Sequence, residues 1–247
     1  GDITTKGGTA TGSNAGTAGG DVSLTSMTSA GVITISTGAD IDTRGSDGQS
    51  GATGGAGGAV TLDTANTVIT LHDTEIKTDG GTSSGTKGAG GTITIKDPLQ
   101  IGTNTVTLQT GASSNNSATA GKVVIESTID SVSTTTKQLD IISGAGAVDL
   151  GGVIGGTTAL SALNINASSG TGNIDITNIG DGTPSLGVTG TVVLGNANTG
   201  TLDLDGTNYD VGSITFGSNY SFSGSTGNFE TAGNIRFLGN VTVNGNL

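Results

Sequence analysis

Cysteine and tryptophan are absent from this 247-residue chain, and proline occurs only twice. Without cysteine there is neither a disulfide framework nor a thiolate metal site. Small secreted eukaryotic domains usually depend on disulfides, whereas a large bacterial exoprotein built from repeats stands without them. The single histidine, His72, has no second histidine beside it to complete a transition-metal site, and reads as a solvent-facing strand residue between Leu71 and Asp73. Lysine and arginine total 8 against 20 acids, a net charge of −12. The cations are scattered singly, so no basic patch exists for phosphate backbones. No apolar run approaches the roughly 18 residues of a membrane helix. The six aromatics all fall between Tyr209 and Phe237, which is no basis for the girdles of a membrane barrel.

What the chain has is glycine, 47 residues of it, in a background of threonine, serine and asparagine. Each glycine costs a helix about 1 kcal/mol relative to alanine, so no long stretch can sustain one. Valine, isoleucine and leucine alternate with threonine, serine or aspartate, the period of strands. A disordered chain would not space its β-branched residues so regularly.

One register recurs four times in the first half: Asp2-Ile3-Thr4-Thr5-Lys6-Gly7, Asp40-Ile41-Asp42-Thr43-Arg44-Gly45, Glu75-Ile76-Lys77-Thr78-Asp79-Gly80 and Thr105-Val106-Thr107-Leu108-Gln109-Thr110-Gly111. Starting points at 2, 40, 75 and 105 give steps of 38, 35 and 30 residues. Each segment runs into a stretch of small residues and then into a second strand. Repeats of fixed pattern and variable length suit stacked coils with insertions at one corner. One coil reads as three strands, 21–26, 31–36 and 39–43, the cross-section of a parallel β-helix. The expected fold is therefore all-β, a right-handed parallel β-helix. Val22, Leu24, Val60, Leu62, Ile93, Ile95, Val123 and Ile125 are its predicted inward column. The insertions at 6–20, 44–58, 79–91 and 111–121 should leave the same edge, either as flexible corner loops or as a packed ladder of excursions. Beyond about residue 146 strands recur at closer intervals, dividing the chain into a long-coil part (1–145) and a compact-coil part (146–247) of one solenoid. The aromatics are expected in its core, with outward Tyr209 and Tyr220 as the alternative that would make a sugar platform.

The phrases Gly190-Thr191-Val192-Val193-Leu194, Gly239-Asn240-Val241-Thr242-Val243-Asn244-Gly245 and Gly172-Asn173-Ile174-Asp175-Ile176, together with the missing cysteines, resemble those of filamentous-haemagglutinin-like exoproteins. That family comprises large bacterial β-helical adhesins. The resemblance implies an extracellular or cell-surface location and a non-enzymatic structural or adhesive role. It designates no functional residue. The chain begins without methionine and ends in mid-pattern, and so reads as a piece of something longer, with neighbouring domains or identical subunits stacked end to end as partners, and cell-surface glycans or matrix as further ones. A self-assembling filament or sheath subunit is the alternative, and a polysaccharide-active β-helix enzyme the third reading.

Chemistry is thinly represented. Asp203, Asp205 and Asp210 form the densest acidic group, ahead of Asp40, Asp42 and Asp47. Two carboxylates about 5–9 Å apart could cleave a glycosidic bond, but Asp203 and Asp205 are i and i+2 on one strand with no cation nearby in sequence. No catalytic residue is assigned. Calcium, which takes 6–8 oxygens, is the better ionic expectation for Asp203, Asp205 and Asp210. Solvated turn acids are the plainer one. Threonine pairs at Thr92/Thr94 and Thr105/Thr107 do not recur on every coil, which argues against an ice-binding face.

Overall fold

The computed structural model describes residues 1–111, 120–133, 136–183, 186–196, 198–204 and 206–217, and the backbone of strands at 220–222, 228–231, 235–237 and 241–243. The described chain has no helix, and 23 strands join into one sheet wound as a solenoid. Every strand pairing is parallel, coil on coil. This is the parallel β-helix that alternating small and β-branched residues require: no strand can bury its apolar side alone, and each coil supplies the hydrogen-bond partners of the next.

Three faces run through the molecule. Face A stacks Ile3, Ile41, Ile76, Leu108, Ile141, Ile165, Leu194 and Phe216. Face B stacks Val22, Val60, Ile93, Val123, Val148, Ile174 and Leu202, with Leu24, Leu62, Ile95, Ile125, Leu150, Ile176 and Leu204 two residues on. Face C stacks Ile33, Ile69, Leu99, Ile129, Ile154, Ile179 and Tyr209. Seven of the eight predicted inward residues are buried. Leu24 is half-buried, because the first coil has a neighbour on one side only. Around residue 148 the strands of faces B and C fuse into the longer Val148–Ile154 and Ile174–Ile179.

The fourth repeat is displaced from the register expected of it. Thr107, not Thr105, pairs with Glu75, and Leu108 lies on Ile76. A two-residue slip keeps the same side chains inward, so the core column survives the change. The corner from face C to face A takes left-handed backbone at Gly38, Asp73 and Asn104 in successive coils. These are the residue types that tolerate positive φ.

Tyr209 and Phe216 are core residues, 1% and 0% exposed. The Tyr209 hydroxyl accepts from Gly206 N (2.8 Å) and donates to the Thr177 carbonyl (3.1 Å). This overturns the outward, sugar-stacking alternative for Tyr209: the ring completes face C, and its polar tip finds partners inside. The side chain of Tyr220 lies outside the described residues.

Candidate functional site

The insertions form a second hydrogen-bonded layer on the edge between faces A and B. Each is pinched at its base by a hydroxyl. Thr5, Thr43, Thr78 and Thr110 donate Oγ1 to the carbonyls of Gly20, Gly58, Gly91 and Gly121 at 2.5–2.6 Å, and Ser143 repeats the contact to Gly146 at 2.6 Å. The last four hydroxyl residues are fully buried. The residues spanned fall from 15 to 15, 13, 11 and finally 3 along the rod. The shift to compact coils is thus the excursion shrinking to a turn. Beyond it the Asn166 amide bonds Ser143, and the Asn196 amide donates to the Asn166 carbonyl at 2.8 Å.

Within the layer each excursion has an outgoing and a returning leg. Outgoing legs bond along the rod axis through Gly7 N to Arg44 O, Gly45 N to Asp79 O and Gly48 N to Thr82 O, each 2.9 Å. Returning legs do the same through Gly16 to Thr53, Gly19 to Ala56, Gly54 to Thr86 and Gly57 to Ala89. The donors step by three residues, the period of an extended threefold helix rather than of a strand. A zigzag then ties the two legs together: Ser46 N to Thr17 O, Gly55 N to Ser46 O, Gly81 N to Gly55 O and Gly88 N to Gly81 O, at 2.7–3.0 Å. Glycine is required at this crossing. A Cβ on Gly55 would collide with the Thr17 carbonyl, on Gly81 with that of Ser46, and on Gly88 with that of Gly55. The insertions described are therefore packed, not loose corner loops; residues 112–119 of the fourth are outside the described set.

Where the outer side of the outgoing legs meets face A there is a groove of about 360 Å³. The threefold period places residues i and i+3 on the same side of a leg, so each coil offers a pair: Lys6 and Thr9, Arg44 and Asp47, Asp79 and Thr82. Bare backbone of Gly7, Gly45 and Gly80 lies between them. Behind one wall, Asp42 accepts from Arg44 Nε (2.9 Å) and Nη2 (2.7 Å), with Lys6 Nζ at 3.6 Å. Burial alone would raise the Asp42 carboxyl; the Arg44 hydrogen bonds and the charges of Arg44 and Lys6 outweigh it and hold it below the ordinary range. Hydrogen bonds from Thr82 likewise hold Asp47 low, its Oδ1 lying 2.7 Å from Thr82 N. Gln109 Nε2 donates to Asp79 Oδ2 at 2.5 Å.

Many of the acids are used structurally. Carboxylates at the corners accept backbone N–H groups of a neighbouring coil: Asp21 from Ala59 (2.7 Å), Asp40 from Glu75 (2.8 Å), Asp97 from Thr64 (2.6 Å), and Asp130 from Thr157 and Thr158. An acceptor is what serves there, and in later coils the amide oxygens of Asn173 and Asn178 do the same for Thr201, Thr207 and Asn208.

Of the residues expected to bind calcium, Asp203 stands on the outward side of face B in register with Asp175, which is in register with Asp149. Asp210 is buried and accepts from Gly182 N at 2.9 Å. Asp205 lies outside the described residues. Among the described residues, no group of three or more histidine, cysteine, aspartate or glutamate side chains is arranged to hold a metal ion. His72 is half-buried, with its ring where a Cβ of Gly102 would be. No helix among the described residues is long and apolar enough to cross a membrane. Comparison of the chain with protein-family models, with curated proteins and with solved structures finds no match.

Proposed function

We propose that this chain is a non-enzymatic, structural or adhesive rod of a bacterial surface or secreted repeat protein, of the kind that the filamentous-haemagglutinin-like exoproteins exemplify. The observation that carries this reading is the continuity of the three stacked faces from the first coil to Phe216, with corner acids bonded from coil to coil and hydroxyls closing the base of each excursion. A molecule so arranged resists bending and separates whatever lies at its two ends. Face C counts eight rungs from Ile33 to Phe229. At about 4.8 Å per coil these span roughly 34 Å. Contacts repeated along such a rod would gain strength by multivalency.

The second reading is a self-assembling subunit of an extracellular filament or sheath, in which copies meet through a head-to-tail contact that does not close. Negative-stain electron microscopy with concentration-dependent light scattering tests the proposal. Short rods support the first reading, and end-to-end polymers the second. Release of reducing ends from a panel of polysaccharides would overturn both in favour of an enzyme.

A further inference from the structure

We propose that the groove between face A and the outgoing legs binds a neutral linear glycan lying along the rod axis. This goes beyond the rod reading and stands or falls separately from it.

Three features of the groove converge on that ligand. The first is spacing. Lys6, Arg44 and Asp79 occupy equivalent positions of three successive coils, as the bonds Gly7 N to Arg44 O and Gly45 N to Asp79 O require. Coils repeat at about 4.8 Å, close to the length of one pyranose unit in an extended chain, so each coil meets one sugar. The second is the mixture of groups. Ammonium, guanidinium and amide donors (Lys6, Arg44, Gln49) line the same groove as the carboxylates of Asp47 and Asp79. A sugar hydroxyl donates and accepts at once and matches such a lining wherever it falls. The third is charge. Two cations face two carboxylates in the lining, with the Asp42 carboxylate behind the cations. A polyanion gains nothing there, and a peptide finds no apolar side chain larger than Ala10 to receive its own. Between the polar pairs the backbone of Gly7, Gly45 and Gly80 lines the groove, the Cβ direction of each pointing away to the returning leg, so a flat chain can approach that backbone closely. Without an aromatic platform each contact exchanges with water at small net gain, so affinity at a single groove is on the order of 1 mM.

The test is a titration of the isotopically labelled 247-residue chain, followed by amide NMR, with cellotetraose and chitotetraose as neutral probes. Trigalacturonate and inorganic phosphate are the charged ones. The expected result is saturable shifts at the Gly45, Gly80 and Thr82 amides with at least one neutral tetrasaccharide, larger than those with either charged probe. Gln49→Ala should weaken that binding about fivefold, the loss of one ordinary hydrogen bond, while the rest of its spectrum stays that of the parent. Lys6→Ala serves in its place should Gln49→Ala disturb the layer. Absence of shifts with both neutral probes, larger shifts with phosphate or trigalacturonate, or small shifts spread over the whole molecule would each overturn the proposal. Rods seen in the microscope without groove shifts would sink the glycan site alone. Groove shifts from a chain that forms neither rods nor polymers would sink the scaffold reading alone.

Discussion

Replacing Gly55 by alanine puts one methyl group where the two legs of the excursion layer cross. The Gly55 N–H donates to Ser46 O at 2.9 Å, and the Gly55 carbonyl accepts from Gly81 N at 2.7 Å. An alanine Cβ would overlap the Thr17 carbonyl oxygen, which is backbone and cannot rotate away. Either the returning leg moves out or the first excursion does, and both bonds stretch past usefulness. Each is worth about 1 kcal/mol net, and more if the donor is left buried and unpaired, giving roughly 2–4 kcal/mol for the pair. Since about 1.4 kcal/mol is a factor of ten, amide exchange at Ser46, Gly55 and Gly81 should quicken about 30- to 1,000-fold. The core strands, whose bonds are untouched, should keep their protection. Gly8→Ala is the control: its Cβ would meet only the Thr17 hydroxyl, at 3.8 Å, and its exchange pattern should match the parent. Equal exchange in Gly55→Ala and Gly8→Ala would refute the packed layer and return the insertions to loose corners.

The remaining expectations concern the core, the hydroxyl ladder and acid. Ile93→Asp places a carboxylate between Val60 and Val123 in face B; unpaired and without water, it should cost at least about 3 kcal/mol, and an unchanged midpoint in urea would contradict the assigned register. Thr78→Val keeps the shape but leaves the Gly91 carbonyl without its 2.6 Å donor; it should cost about 1–3 kcal/mol where Thr78→Ser costs clearly less, and equal midpoints for the two would show that the hydroxyl is idle. Asp42 and Asp47 are both held below the ordinary carboxylate value of 3.8, so their stabilisation is fully present above that pH and is lost as pH falls through their folded values. Protection of the Thr82 amide should therefore fall in acid before that of Ile93 does, and loss of both at the same pH would argue against it.

Much of the solenoid was legible because its signal is local. Alternation at Val60-Thr61-Leu62 or Ile93-Thr94-Ile95 assigns inward and outward sides without reference to any other residue, and burial follows from it. Coil-to-coil register is less legible. Both Val106 and Leu108 satisfy the alternation, and which of them lies on Ile76 is seen only once the chain has turned the corner at Asn104, whose φ is positive. Tyr209 was open for a related reason: an aromatic with a polar tip fits a core or a surface equally, until Gly206 and Thr177 are brought to its hydroxyl by the fold.

The choice between loose corner loops and a packed ladder of excursions stayed open for a different physical reason. Reading glycine as permissive suggests loops, because permissiveness describes the unfolded chain as well as the folded one. In a crowded layer the same residue acts through its missing Cβ, and the trace of that is spacing, not abundance. Gly45 and Gly48 on the outgoing leg face the returning leg of the same excursion, and Gly54 and Gly57 on the returning leg face the outgoing leg of the next; each pair is three residues apart, the period at which a threefold extended leg keeps turning glycine to the same neighbour. The recurring threonine that ends each Asp/Glu-Ile-x-Thr segment was equally visible at Thr5, Thr43 and Thr78, but a threonine in a strand has many uses. Its role appears only when Gly20, Gly58 and Gly91 return to meet it. That return also builds the groove. The neck at each hydroxyl fixes where the outgoing leg leaves face A, and the threefold period then decides that Arg44 and Asp47, three residues apart, look out together. A strand would have sent them to opposite sides. The polar pairs of the groove are thus a consequence of the same glycine spacing that packs the layer. Any chain of this design that loses the period should lose the packed layer and the groove at once.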